Sequence, residues 1–172
     1  MYALQVPNDE PLQAMRNFIA EQKPEPVSQP AGLEVSLVLL ASFLDALRLQ
    51  AHLLHLNYRA SNFLSVHLFL KGQYEKHTEQ FDLIAEHVMA LGGRMPATVA
   101  GLRAALPQFR EAQGEDWVDA LGIYRENLRQ LVKMSTTIAR RDCEEAIDVE
   151  NSLAEIVGAA SQAAWFIDAL SG

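Results

Sequence analysis

HLNYRASNFLSVHLFLKGQYEKHTEQFDLIAEHVMALGGRMP, residues His55–Pro96, sets two apolar-periodic segments on either side of a short polar one. The polar piece, Asn57 to Asn62, reads as the connection of an αα-hairpin. His55 and His67 each lie six residues from Ser61, so antiparallel helices around that turn bring both imidazoles to a similar height. Asp82 and Glu86 are four apart and share a helical face. His67 and Asp82, however, are fifteen residues apart on one helix, which is roughly 22 Å at the helical rise. One chain does not gather these four groups. Two chains do if their second helices pair antiparallel about a two-fold axis. Each interface then holds two sites, with two His from one chain and Asp plus Glu from the other.

Outward from this stretch, the chain is helical throughout. A first helix from about Leu33 to Leu56 carries Leu37, Leu40, Phe43, Leu44, Leu47 and Leu54 on one face. The second, from about Asn62 to Leu91, is stopped by Gly92-Gly93 and kept from resuming by Pro96. Residues 97 to 106 form a short helix closed by Pro107. A third long helix is expected from about Asp116 to Arg141, with Trp117, Leu121, Tyr124, Leu128, Leu131 and Val132 in the core. A fourth runs from about Glu145 to Leu170, with Ile147, Leu153, Ile156, Val157, Trp165 and Phe166 inward. No alternating β pattern appears. The expected fold is all-α: a four-helix bundle over residues 32 to 172, with a short extra helix in a long crossover. Residues 1 to 31 hold five of the seven prolines and read as an arm outside the bundle. Within it, Asp9 to Ala20 can form a short helix with Leu12, Met15, Phe18 and Ile19 on one side.

With 172 residues and 49% apolar content, the chain can bury one sizeable core. Its net charge of −8 argues against general affinity for nucleic acid or anionic membrane and suits a protein that gathers cations. Cys143 is the single cysteine, which excludes an intrachain disulfide and fits a reducing compartment. The first residues lack the pattern of a signal peptide. The apolar run from Val35 to Leu56 is broken by Asp45, Arg48, Gln50 and His52, as expected of a buried helix face and not of a membrane span. The expectation is a cytoplasmic protein.

The candidate ligands are therefore His55, His67, Asp82 and Glu86. Imidazole with carboxylate suits Fe(II), Mn(II) or Zn(II). Three further histidines matter less. His52 lies one turn before His55 and can face the same groove. His77, amid Glu75, Lys76 and Glu79, is expected on a solvated surface. His87 points about 100° away from Glu86.

The spacing His55-x11-His67-x14-Asp82-x3-Glu86, followed by Ala90-Leu91-Gly92-Gly93 and Pro96, resembles the mini-ferritins called Dps, the DNA-binding proteins from starved cells. Phe63 and Trp165 fit the same pattern, which covers roughly residues 32 to 170. The resemblance implies a ferritin-like bundle whose equivalents of these four residues form an inter-subunit ferroxidase site, with iron as the metal and peroxide as the favoured oxidant. It implies a dodecamer built from two-fold dimers, with the short crossover helix at the two-fold and ferric mineral inside. It also places the acidic junction, with Asp142, Glu145 and Asp148, at three-fold pores that admit cations. An ordinary ferritin's site needs Glu-x-x-His on two helices, and no Glu here has a His three residues later.

Departures from the family pattern are specific. Lys71 stands where a further acidic ligand is usual, Leu56 where a Trp is, His87 where an Arg is, and Asn151 where an Asp is often found. Many relatives hold DNA through Lys-rich tails. Here the arm sets Arg16 and Lys23 against Asp9, Glu10, Glu21 and Glu25, and seven residues follow Trp165. DNA binding is not expected. Two functions follow: a ferroxidase and iron-storage cage that limits Fe(II) and peroxide toxicity, or a shell of the same fold whose site is degraded or repurposed, the reading Lys71 favours.

Overall fold

A computed structural model describes residues 32–111 and 116–170 of the chain. Helix α1 (Leu33–Asn57) buries Leu37, Leu40, Phe43, Leu44, Leu47 and Leu54, the i, i+3, i+4 set of an amphipathic helix. It ends at Tyr58, which is buried and whose hydroxyl donates to Asn62 Oδ1 at 2.9 Å across the turn. Helix α2 (Phe63–Ala90) runs antiparallel from there and packs along α1. Its end is a Schellman motif. Gly92 takes φ +80°, its N–H donates to Met89 O, and Gly93 N–H donates back to Val88 O, each at 3.0 Å. A side chain at Gly92 would sit in the left-handed region that glycine adopts without strain.

The crossover contains the short helix α3 (Val99–Ala104), capped by Thr98, whose side chain accepts from Gly101 N–H. Several contacts fasten the crossover to the bundle. Ser42 Oγ donates to Leu102 O at 2.6 Å. Phe43 and Phe109 meet edge to face at 5.2 Å. Buried Asn127 closes a ring of bonds, its Nδ2 donating to Arg110 O and Gln50 Oε1 while its Oδ1 accepts from Arg110 N–H.

Helix α4 (Trp117–Asp142) starts at Asp116, whose carboxylate accepts from the N–H groups of Val118 and Asp119. Helix α5 (Ile147–Leu170) packs along α4, and α1 also packs on α4. Arg125 and Arg129 of α4 both donate to Asp168 of α5, and Phe69 of α2 stacks on Phe166 of α5 at 4.6 Å. Cys143, between α4 and α5, is buried. The result is an all-α, ferritin-like four-helix bundle with a short helix in its long crossover. The described residues contain no strand.

Two expected core residues of α5 lie outside. Ile147 is 70% and Trp165 65% exposed in the single chain. Val149, Leu153, Ile156, Ala160, Ala163, Ala164 and Ile167 fix the helix phase. Trp165, two residues from Ile167, falls on the opposite side. Trp117, Val132, Val157 and Phe166 are half-buried. Helix α1 is long and apolar enough to cross a membrane by length and composition, but 56% of its most apolar window is buried inside the bundle. The proposed arm helix, Asp9 to Ala20, lies outside the described residues.

Candidate metal centre

The α1–α2 turn brings His55 and His67 face to face. Their ring centroids are 3.8 Å apart and 22° from parallel. The two rings are tied reciprocally to the backbone. His55 Nδ1 bonds His67 O at 2.8 Å, and His67 Nδ1 bonds His55 O at 3.0 Å. A carbonyl only accepts, so each neutral ring carries its proton on Nδ1 and leaves the Nε2 lone pair free. This is how metal-binding imidazoles are held in orientation and tautomer. His55 is only 9% exposed, while His67 is half-buried and flanked by Phe63 at 5.0 Å. His52 and Tyr74 extend the group. They stack on each other at 4.4 Å, and each also approaches His55.

Asp82 and Glu86 are exposed on α2, well along the helix from His67. Because α2 is unbroken over that span, Asp82 stays roughly 22 Å and Glu86 roughly 28 Å along the helix from His67. Among the described residues of one chain, no three His, Cys, Asp or Glu side chains come together to hold a metal. The histidine half and the carboxylate half are thus separate surfaces of one helix pair. Exposed apolar residues surround the histidine half: Leu53 and Leu56 beside His55, Leu64 and Leu68 beside His67. A groove of about 950 Å³ runs between α1 and the crossover, with Leu49, Leu53, Leu102, Leu106, Phe109 and Trp117 among its walls.

Lys71 does not reach back toward the imidazoles. It pairs with Glu75 on its own helix at 2.9 Å, both side chains half exposed. The Glu75 hydrogen bond and charge raise its pKa, so it stays cationic. His77 is not on the surface as its charged neighbours suggested. It is 2% exposed, with Nδ1 donating to Gln80 Oε1 at 2.9 Å and Nε2 accepting from the Tyr124 hydroxyl at 2.8 Å. Burial drives its pKa down to about 4, against the opposing Gln80 bond. Burial also raises the Tyr124 phenol well above its ordinary value. The sequence did carry a signal for this. His77 stands seven residues after Leu70 and seven before Ile84, on the buried stripe of α2.

At the acidic junction, Asp142 is turned inward. Arg141 donates to both of its oxygens, at 2.6 and 2.7 Å, and Ser36 Oγ donates at 2.8 Å. The Arg141 bonds hold its carboxyl below the usual range. Glu145 and Asp148 are exposed, and Asp148 lies 3.6 Å from His87, which also hydrogen-bonds Ser152.

Residues 40–170 match the ferritin-like domain of the ferritin family. The chain belongs to that family. Its ferritin-like bundle has the Dps fold. A Dps from Listeria innocua superposes with a TM-score of 0.77 at 17% identity, covering 84% of this chain and 97% of that one. That protein is a variant in which two histidines twelve positions apart are replaced by glycine, the same separation as His55 and His67. Antigen TpF1 of Treponema pallidum gives 0.73 at 23% identity, with 98% of each chain covered. A dodecameric thioferritin related to bacterioferritin, from Bacteroides fragilis, gives 0.74 at 14% identity over 79% of this chain and 82% of that one. At these identities the likeness establishes the fold. Comparison with curated protein sequences gives no significant match.

Proposed function

We propose that this chain forms a closed dodecamer of two-fold dimers that oxidises Fe(II) at inter-subunit sites and stores the ferric product inside, in the cytoplasm. One observation carries the reading. His55 and His67 are locked in the ligand tautomer at one end of α2, and the carboxylates that would complete the site, Asp82 and Glu86, are exposed on the same helix but out of reach. A partner helix running antiparallel about a two-fold supplies what each chain lacks. The exposed leucines beside the histidines suit burial in that interface. The dodecameric B. fragilis relative supports the cage.

Fe(II) is the substrate. His55 and His67 supply neutral nitrogen donors, while Asp82 and Glu86 of the neighbour supply anionic oxygen that favours the ferric state over the ferrous. Two Fe(II) ions each give one electron to one hydrogen peroxide, whose O–O bond breaks, and with two protons from solvent its oxygens leave as two waters. Mn(II) or Zn(II) can occupy the same donors. Cations are admitted past Glu145 and Asp148, while Asp142, held by Arg141 and Ser36, positions the junction. With a net charge of −8, the cage does not bind DNA at physiological salt.

Lys71 supports a second reading, a cage with the same fold whose site binds metal without turning over. Light scattering with peroxide-driven Fe(II) oxidation on the purified protein separates the two. The leading reading expects a twelve-subunit mass and oxidation faster than in buffer. A twelve-subunit mass with oxidation at the buffer rate selects the second. A stable monomer or isolated dimer overturns both.

A further inference from the structure

His52 is an imidazole at the metal centre that the four-residue ligand set does not use. It sits one turn before His55 on α1, half-buried, with its ring 6.1 Å from that of His55. Tyr74 of α2 packs flat against it at 4.4 Å and 30°, and the same tyrosine meets His55 edge-on at 5.4 Å. The ring is therefore braced. Among the described residues, neither of its nitrogens has a hydrogen-bond partner. The other two half-buried or buried rings of the row each spend Nδ1 on a carbonyl. A braced imidazole, third in a row of three, whose nitrogens are unspent among the described residues is a donor set in place for an ion.

We infer that His52 is a third imidazole ligand of the inter-subunit site, serving a second metal position for which α2 offers Lys71 and no carboxylate. This rests on the inter-subunit reading given above. The three rings do not converge on one ion, since no trio of ligating groups in the single chain does so. Two ions about 3.5–4 Å apart, bridged by a carboxylate of the neighbouring chain, need donors spread along such a row. Lys71 leaves that position free by pairing with Glu75. Replacing an acidic ligand with imidazole also changes preference. A nitrogen-rich, less anionic position favours Co(II) and Zn(II) over Fe(II) and Mn(II) more strongly than an oxygen-rich one does. The second position is thus more selective for late divalent metals than it would be with the acidic ligand usual there.

The test is anaerobic Co(II) titration of the assembled protein, read by calorimetry and by the visible ligand-field spectrum, for wild type, His52→Gln and His55→Gln. Wild type is expected to bind two Co(II) per site. His52→Gln should keep the tighter ion and weaken the other at least tenfold. Unchanged stoichiometry and affinity in His52→Gln, with binding lost in His55→Gln, overturns the role of His52 and leaves the inter-subunit reading standing. Wild-type binding by both variants overturns the inter-subunit reading and this inference together. X-ray absorption of the Co(II)-loaded wild type needs no variant to assemble. It should count about three imidazoles per two ions, and a count of two overturns the role of His52.

Discussion

The buried core histidine His77 and the pair at the α1–α2 turn, of which His55 is buried and His67 half-buried, are two groups built for opposite ends. In the core, His77 spends both ring nitrogens, one on Gln80 and one on Tyr124. At the α1–α2 turn, His55 and His67 spend one nitrogen each on a backbone carbonyl and keep the other. Burial alone does not tell them apart, since His55 is nearly as shielded as His77. The number of nitrogens already bonded does. A satisfied, neutral imidazole is a structural cross-link between helices. A half-satisfied one, oriented by the backbone, is available to an ion.

The comparison breaks most visibly if the two groups respond alike to substitution. Either His55→Leu or Glu86→Ala is expected to slow Fe(II) oxidation by about 100-fold or more and to abolish tight metal binding. His77→Leu should leave the oxidation rate per assembled site within about threefold of wild type. Stopped-flow oxidation beside metal titration compares them directly. A loss of oxidation in His77→Leu as large as that in His55→Leu would mean the core ring belongs to the site.

Acid sharpens the contrast from the other side. The His77 pKa is about 4 in the fold and about 6.5 in an unfolded chain. The unfolded state therefore binds the extra proton first. The stability this ring contributes is fully present above pH 6.5 and is lost as pH falls toward 4. That loss is about 3 kcal/mol. Denaturant unfolding at pH 7 and pH 4 should show wild type losing roughly that much more than His77→Gln, whose neutral amide does not titrate. Equal losses would show that the ring is charged, or hydrated, in the native core.

A smaller effect is expected at Lys71. Its removal takes a cation from one turn after His67, and under the proposed inter-subunit site Lys71→Asp is expected to raise metal affinity and oxidation rate by about three- to tenfold at an effective dielectric near 20. The new Asp faces Glu75 one turn on, so helix stability falls by a few tenths of a kcal/mol. No change in either rate or affinity would place Lys71 outside the field of the site. The smallest expected effect is none. Plasmid DNA at ~150 mM salt should run unretarded with micromolar cage, and retardation would mean that a basic surface outweighs the net charge of −8.

Much of the fold could be read along the chain because its apolar periods are strong. All six residues assigned to the face of α1 are buried, and Gly92-Gly93 ends α2 at the expected place. The equal height of His55 and His67 was legible because the turn is symmetric about Ser61. What was lost came from weighing residue type above helical phase. The charged neighbours Glu75, Lys76 and Glu79 argue for the surface at His77, although its spacing from Leu70 and Ile84 puts it inside. Trp165 is expected inward along with Phe166, although Ala163, Ala164 and Ile167 define the inner face without it. The pairing of Lys71 with Glu75 follows the ordinary four-residue helix spacing. The inward turn of Asp142 depends on Ser36, more than a hundred residues earlier, and no local pattern announces it.

The burial of Cys143 bears on chemical durability. Its side chain lies within the packed junction of α4 and α5, and burial raises its pKa. Thiolate, not thiol, is the form that attacks peroxide and disulfides. The sole sulfhydryl of the chain is thereby kept in its unreactive form and out of contact with solutes. Neither sulfenic acid formation nor cross-linking between subunits should accompany repeated exposure to oxidant. Intact mass after such cycles should show no added oxygen at Cys143, and the protein should keep without a thiol reductant.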